Sequence, residues 1–425
     1  MNLKRSFVLF VSLLFLNLLS AEGKILTIED AVRLAKENNI SVKTAENNLD
    51  SLAVQNKYSW NSVSPAAKLD GKFVDDIEND STDFSLSGAV SLSLKTNLYS
   101  EIKGAKLNYE KGLLTYSEAV RQIELSVRKK FYNLIYQKEN LVLQNRSLET
   151  SRAQYLNNEE KFKNGKISEL DAFTSRVNYE SKKPVVESAE INFQNDLASF
   201  KQLLGIPQET EIALDGSLDD FLNLKEISFG LLPKVDEPAP DVKSAEYDVE
   251  IAKNSLLNLR FSAYAPVITG SYSYGKSKKS MQDDWMTTNQ LSVGVSVPLD
   301  GILPWSSSAV KIKEQKNALD TAEKVLEDAK TTVAVQTESY IRKINQAVKQ
   351  LDSLKSTEKL AEQTYKMTLA AYNYGKTDFL SLQNANDSVL SAGVNLKSQA
   401  YTLISTILDL ESVLGLEFGT LETKK

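Results

Sequence analysis

Between Phe84 and Leu94 the chain reads FSLSGAVSLSL. Phe84, Leu86, Gly88, Val90, Leu92 and Leu94 alternate there with Ser85, Ser87, Ala89, Ser91 and Ser93. A period of two sends successive side chains to opposite faces, so this stretch is a strand with one apolar and one small polar face. The pattern returns from Leu291 to Leu299, where Leu291, Val293, Val295, Val297 and Leu299 alternate with Ser292, Gly294, Ser296 and Pro298. Long helical stretches lie between and after the two. The strands of a soluble sandwich would instead follow one another at roughly 8–12-residue spacing. A membrane barrel fits better, because its strands of about ten residues turn alternate side chains to lipid and to water. Alternation alone also allows a half-buried sheet in a soluble protein.

The N-terminus, MNLKRSFVLFVSLLFLNLLSAEGK, places Lys4 and Arg5 before an apolar run from Phe7 to Leu19, with Ala21 and Gly23 spaced like a cleavage signal. Residues 1–23 therefore read as a secretory signal peptide, the run being shorter than the ~20 residues of a spanning helix. The chain has no cysteine and no histidine. That excludes a disulfide framework, a lipid attached through cysteine, the usual zinc and copper sites, thiol nucleophiles and Ser/His/Asp triads. Only carboxylate chemistry is left to an enzyme, and the acidic residues are scattered along helices without a cleft-like pair. No catalytic residue, metal or cofactor is expected. The net charge of −6 disfavours a nucleic-acid partner.

In chain order, Thr27 and Asp30 form a capping-box signal for a helix from about Ile28 to Tyr58. Pro65 ends it and opens a strand near Lys68 to Val74, and the acidic loop VDDIENDSTD precedes the strand described above. From Tyr99 to Asn164, Leu113, Val120, Val127, Leu134, Leu141, Leu148, Tyr155 and Phe162 fall seven residues apart. This is a coiled-coil repeat on a helix on the order of 100 Å long. Gly165 ends that helix. A return helix from Ser168 closes at Leu204-Gly205-Ile206-Pro207, with a kink or short break expected at Pro184. Residues 206–240 read as an irregular connecting segment.

The plan then repeats. Ser41-Val42-Lys43 is echoed by Asp241-Val242-Lys243, Pro65 by Pro266, Gly165-Lys166 by Gly375-Lys376, and Leu204-Gly205 by Leu414-Gly415. Ile312, Leu319, Leu326, Val333, Tyr340, Ala347, Leu354 and Ala361 carry the second heptad line. The expected division is a first repeat over 24–205 (hairpin about 66–95, coiled-coil helical hairpin 99–205) and the connecting segment 206–240. A second repeat follows over 241–415 (hairpin about 266–299, coiled-coil hairpin 306–415), then a tail over 416–425. Each chain supplies four strands, and an open edge is not tolerated in lipid, so the chain must assemble with copies of itself if the strands are in a membrane. Two copies give a filled eight-stranded barrel, three a twelve-stranded one with a lumen. Trp60 and Trp305, with Tyr58, Tyr99 and Tyr264, flank the strands where amphipathic aromatics suit a membrane interface; packing against the nearby helices is the other reading. Trp285, in the second strand loop, would then lie at the opposite end.

LTIEDAVRLAKENN near the start, LSVGVSVPLDG before the second long helix, YNYGKTDFLSLQNA at its far turn, and the LLGIP and VLGLE closures resemble the TolC family of outer-membrane efflux proteins. The resemblance implies a mainly α fold with membrane β: a homotrimer whose twelve-stranded outer-membrane β-barrel continues into a periplasmic α-helical barrel. It implies as partners a periplasmic adaptor (membrane fusion) protein, an inner-membrane pump and outer-membrane lipid. It places adaptor contacts at the hairpin tips, Gly165, Lys166, Gly375 and Lys376, where each glycine also suits a tight left-handed turn. It makes Asp171 a candidate for the periplasmic aperture. Ser381 and Asn384 occupy the corresponding places of the second hairpin, which departs from the acidic pattern, and Asp171 can equally be an ordinary solvated helix charge. The function implied is a passive outer-membrane channel of a tripartite efflux or type I secretion system in a Gram-negative bacterium. A trimeric coiled-coil structural or adhesive surface protein without a channel is the alternative that the heptads alone permit.

Overall fold

The computed structural model describes residues 24–78, 81–222, 238–278 and 284–421. The elements follow one another as β1 (Lys24–Leu26), α1 (Ile28–Asn38), α2 (Ile40–Lys57), β2 (Ala66–Asp76), β3 (Ser81–Lys95), α3 (Leu98–Lys163), α4 (Glu169–Leu204), β4 (Ile212–Leu214) and α5 (Asp219–Leu222). Then come α6 (Pro240–Tyr264), β5 (Val267–Lys278), β6 (Met286–Ser296), α7 (Ser307–Asn373) and α8 (Phe379–Leu414). Residues 1–23 and most of the second half of the connecting segment lie outside the described residues.

Three sequence expectations are corrected. The first helix is two, because Asn39 leaves helical geometry at ψ 131°. Its amide donates to the Leu203 carbonyl (2.8 Å) and its Oδ1 accepts the Ser41 N–H (2.8 Å), so the side chain replaces the helical bonds it interrupts. Pro184 does not break α4, which runs unbroken from Glu169 to Leu204. Pro184 is exposed, leaving the carbonyl one turn earlier open to water. Finally, the connecting segment is partly regular: β4 pairs in parallel with β1, a strand too short to show a period.

The chain divides into two compact units, and the division crosses the sequence repeats. The first comprises Met1–Lys43, Ala119–Asp236 and Val335–Lys425. Its core joins Leu26, Ala31, Phe131, Leu134, Ile135, Phe200, Leu204, Ile344, Leu351, Leu403 and Ile407, all buried. Towards the hairpin tips the buried positions of α3 become Ser147, Ser151, Gln154 and Asn158, so the inward-facing seam there is polar. The heptad line itself drifts outward, leaving Phe162 exposed. The C-terminal tail is held to this unit by Arg121, which donates to the Gly415 and Leu416 carbonyls. Glu411, fully buried, accepts the Gly419 and Leu421 N–H groups.

The second unit, Thr44–Glu118 and Glu237–Ala334, holds a four-stranded sheet in the order β2-β3-β5-β6, antiparallel throughout. Beside it, α6 packs on the start of α3 through amides: Asn254 donates to the Ser100 carbonyl (2.7 Å) and Asn97 to Asn258 (2.8 Å). Gly112 lets α2 approach, since a Cβ there would lie 2.5 Å from a Leu52 methyl.

Candidate functional site

The register of the sheet sorts its side chains. Leu94 lies opposite Ile268, which lies opposite Val295; Val90, Tyr272 and Leu291 form a further row, and Gly88 sits between Leu69 and Tyr274. Every one of these is on one face, and the large apolar ones are exposed in the single chain, Leu291 to 75% and Leu69 to 76%. From Leu94 to Phe84 the apolar face of β3 extends about 34 Å along the strand. At a tilt of about 40° that is a band about 26 Å tall, the height of a barrel's lipid-facing belt. The opposite face carries Thr269, Ser271, Ser273, Ser292 and Gln290, with the Ser271 and Ser292 hydroxyls 2.7 Å apart. β2 differs, because its polar face presents Lys68, Asp70 and Lys72, with Lys68 and Asp70 paired at 3.3 Å. Sequence reading placed a strand here without its charged face.

The ends of the strands nearest the helices share one edge of the sheet: Lys95 pairs with Val267, and Val267 with Ser296. Trp60, Tyr99, Tyr264 and Trp305 are placed just beyond those ends and are 52%, 66%, 48% and 78% exposed. The Tyr264 hydroxyl donates to the Gly301 carbonyl (3.0 Å), and Gly301 is required there because a Cβ would meet the Tyr264 ring at 2.7 Å.

The hairpin tips belong to the other unit. Gly165 (φ 67°) and Gly375 (φ 70°) are both left-handed, and each closes its helix by the same two bonds. The Gly165 and Lys166 N–H groups reach the Phe162 and Lys161 carbonyls, and those of Gly375 and Lys376 reach Tyr372 and Ala371. Nothing lies within 4 Å of a Cβ built on either glycine, so the backbone angle alone selects glycine within the chain. The N-cap of the next helix lies three residues on, and here the two tips mirror one another. In the first, Ser168 is the N-cap: it accepts the Asp171 N–H (3.1 Å) and donates its hydroxyl to the Asp171 carboxylate (2.7 Å). In the second, Asp378 is the N-cap and accepts the Ser381 N–H (2.7 Å), which holds its carboxyl below the usual range. The acid and the serine have exchanged places. Asp171 is thus half of a capping box, Ser381 occupies the same turn, and Asn384 lies one turn further, exposed.

Both tips therefore carry a carboxylate at the start of the return helix, Asp171 within the first turn of α4, beside Glu169, and Asp378 as the N-cap of α8. Asp378 is not among the site residues expected from the sequence, although the Asp-x-x-Ser spacing before a helix is a cap signal. Near the tips, Tyr372 donates to Asn158 (2.7 Å) and Lys161 lies 4.7 Å from its ring centre. Burial raises the Tyr372 phenol, opposed by the Asn158 bond and assisted by the charge of Asp171. Among the described residues no group of acidic side chains could hold a metal ion.

Residues 231–416 match the family model described as outer membrane efflux protein. The outer membrane protein TolC of Vibrio cholerae serotype O1 is 19% identical over 306 residues, 71% of this chain and 69% of that protein. Among solved structures, the Campylobacter jejuni CmeC outer membrane channel superposes with a TM-score of 0.78 at 18% identity, over 91% of this chain and 85% of its own. The outer membrane protein VceC of Vibrio cholerae gives 0.73 at 13% identity, over 92% and 96%.

Proposed function

We infer that this chain is an outer-membrane efflux protein of the TolC family, a passive channel through which substrates leave the cell. The observation that carries the reading is the sheet: one face apolar over about the thickness of a bilayer belt, the other polar, with serine and threonine hydroxyls on β3, β5 and β6 and charges on β2, and with β2 and β6 as outer strands. In lipid those outer edges must be paired. Three copies joined β6 to β2 close twelve strands around a polar lumen, which is why we propose a homotrimer. In a passive channel the energy for transport comes from elsewhere. An inner-membrane pump and a periplasmic adaptor supply it in this reading.

We propose the repeats over 24–205 and 241–415, joined by the segment 206–240, each contributing one strand hairpin and one helical hairpin to the wall. We assign the adaptor contact to the tips at Gly165, Lys166, Gly375 and Lys376, whose surroundings are open on the chain itself. The aperture is assigned to the same end, with Asp171 as its charge and Ser381 and Asn384 as its neighbours from the second hairpin. Trp60, Tyr99, Tyr264 and Trp305 mark the periplasmic membrane interface.

The test is single-channel recording of the detergent-purified mature protein in a planar bilayer, with the oligomer mass measured on the same sample. A trimer with small, long-lived, cation-selective openings is expected, and Asp171→Asn alters conductance or selectivity. A monomer that never enters lipid overturns the channel, and unaltered single-channel behaviour in Asp171→Asn removes that residue from the aperture.

A further inference from the structure

The lipid-facing surface of the sheet is not uniform along its height. Its positions on β2, β3, β5 and β6 are apolar, glycine or uncharged polar residues except for Asp75, Lys276 and Lys278, and all three charges lie at the hairpin-loop end. Lys276 is opposite Leu86 and Thr287, and Lys278 is opposite Phe84. On that same face the Trp285 indole, one residue before β6, reaches across β5 to stand edge-on to Phe84, with ring centres 5.5 Å apart. Phe73, opposite Phe84 on β2, extends the aromatic row.

A lysine facing hydrocarbon is costly, so its ammonium must reach the headgroup plane while its stem lies along apolar surface. Two lysines on alternate residues of one strand stand about 7 Å apart. They rise out of an aromatic row of the kind that marks a membrane interface. The opposite end of this face, at Leu94, Ile268 and Val295, has no charge. The arrangement is therefore polar in the axial sense, cationic only where the sheet meets the outer leaflet.

Resting on the barrel reading above, we propose that this end of the sheet binds phosphate-bearing lipid headgroups of the outer leaflet. Lys276 and Lys278 contact the anion, and Phe84, Trp285 and Phe73 form the apolar floor beneath it. The occupant is a lipid because the site is continuous with the apolar band and carries the complementary charge. Asp75 is the one acidic group on this face, and Asp76, Glu78, Asp83 and Asp284 are the other described acids at this end. If these neutralise the lysines within or between copies, no phosphate preference exists.

The experiment uses the purified protein reconstituted in phosphatidylcholine bilayer discs doped either with phosphorylated lipid A or with the same glycolipid after dephosphorylation. Lipid retained after detergent washing is counted by native mass spectrometry. The wild-type protein retains the phosphorylated form preferentially, and K276Q/K278Q loses about thirtyfold in that retention, at about 1 kcal/mol per cation near the surface. K276R/K278R keeps it. Equal retention of the two lipids by the wild type, or equal retention by wild type and K276Q/K278Q, overturns the site while leaving the barrel standing. A wild-type protein that fails to enter the discs overturns the barrel and the site together.

Discussion

Two glutamates near the C-terminal tail feel burial with opposite results. Burial pushes the Glu411 carboxyl up, against the two N–H groups of the tail and the charge of Arg128. Burial also pushes Glu124 up, but Lys36 at 2.6 Å and Arg128 at 2.8 Å outweigh it and hold that carboxyl below the usual range. Folding thus raises the affinity of Glu411 for a proton, so its contribution is most favourable below the ordinary carboxylate range and is lost as pH rises through its folded pKa. Glu124 contributes above its unfolded pKa and loses that contribution as pH falls through its folded one. Melting curves of the detergent-solubilised protein over the acid range should show Glu411→Gln flattening the decline on the alkaline side and Glu124→Gln flattening the acid limb. Slopes that change in the same direction for both would contradict these assignments. At the tips, Ser168→Ala and Asp378→Ala should each cost about 1 kcal/mol through loss of an N-cap. Gly165→Ala should cost about 1–2 kcal/mol from its left-handed angle alone, since no atom obstructs the new methyl. Hydrogen exchange in the first turns of α4 and α8 reads the cap losses directly.

On β3 the two faces predict opposite tolerance. Val90→Lys puts a cation at mid-height of the lipid face and should cost about 2–4 kcal/mol, whereas Ser91→Lys, one residue on but facing the lumen, should be accepted. The yield of assembled, heat-modifiable oligomer in the outer membrane separates the two, and equal yields would mean that the face assignment is wrong. This strand was legible because an eleven-residue alternation from Phe84 to Leu94 leaves no helical solution. The long helices were legible for the same kind of reason, a period held without proline. β1 was not, since three residues carry no period and its pairing with β4 is a tertiary fact. The break at Asn39 was hidden because one of the two side-chain bonds that support it runs to the Leu203 carbonyl, far along the sequence. The candidate site divides likewise. The tip glycines announced themselves, but the exchange of acid and serine between the two caps became visible only when Ser168 and Asp378 were seen to occupy the same position. The charged face of β2 was obscured by a strand whose other face, Ala67, Leu69, Gly71 and Phe73, is only weakly apolar.

A single chain cannot complete this architecture. β2 and β6 are the outer strands of the sheet, and on the other compact unit Leu360 and Met367 of α7 and Tyr374, one residue past its end, lie seven apart with 62%, 73% and 81% exposure. A heptad-spaced apolar line needs a facing helix, and a strand edge in lipid needs a facing strand. In the barrel proposed above, β6 of one copy meets β2 of the next, so the contact is head-to-tail, and such a contact closes into a ring only if the rotation permits. The absence of cysteine makes closure directly measurable. One cysteine is placed on β6 at Ser292 and a second, in turn, at Ala66, Lys68, Asp70 or Lys72 of β2, all on the lumen face by register. Oxidation in the membrane should give, for one or two neighbouring β2 positions, covalent dimers and trimers and nothing larger. Crosslinking confined to one end of β2 would fix the stagger between copies and with it the tilt of the strands. A ladder continuing beyond trimers would mean an open or larger ring, and no crosslink at any position would mean that β2 and β6 do not meet and the twelve-stranded barrel is wrong.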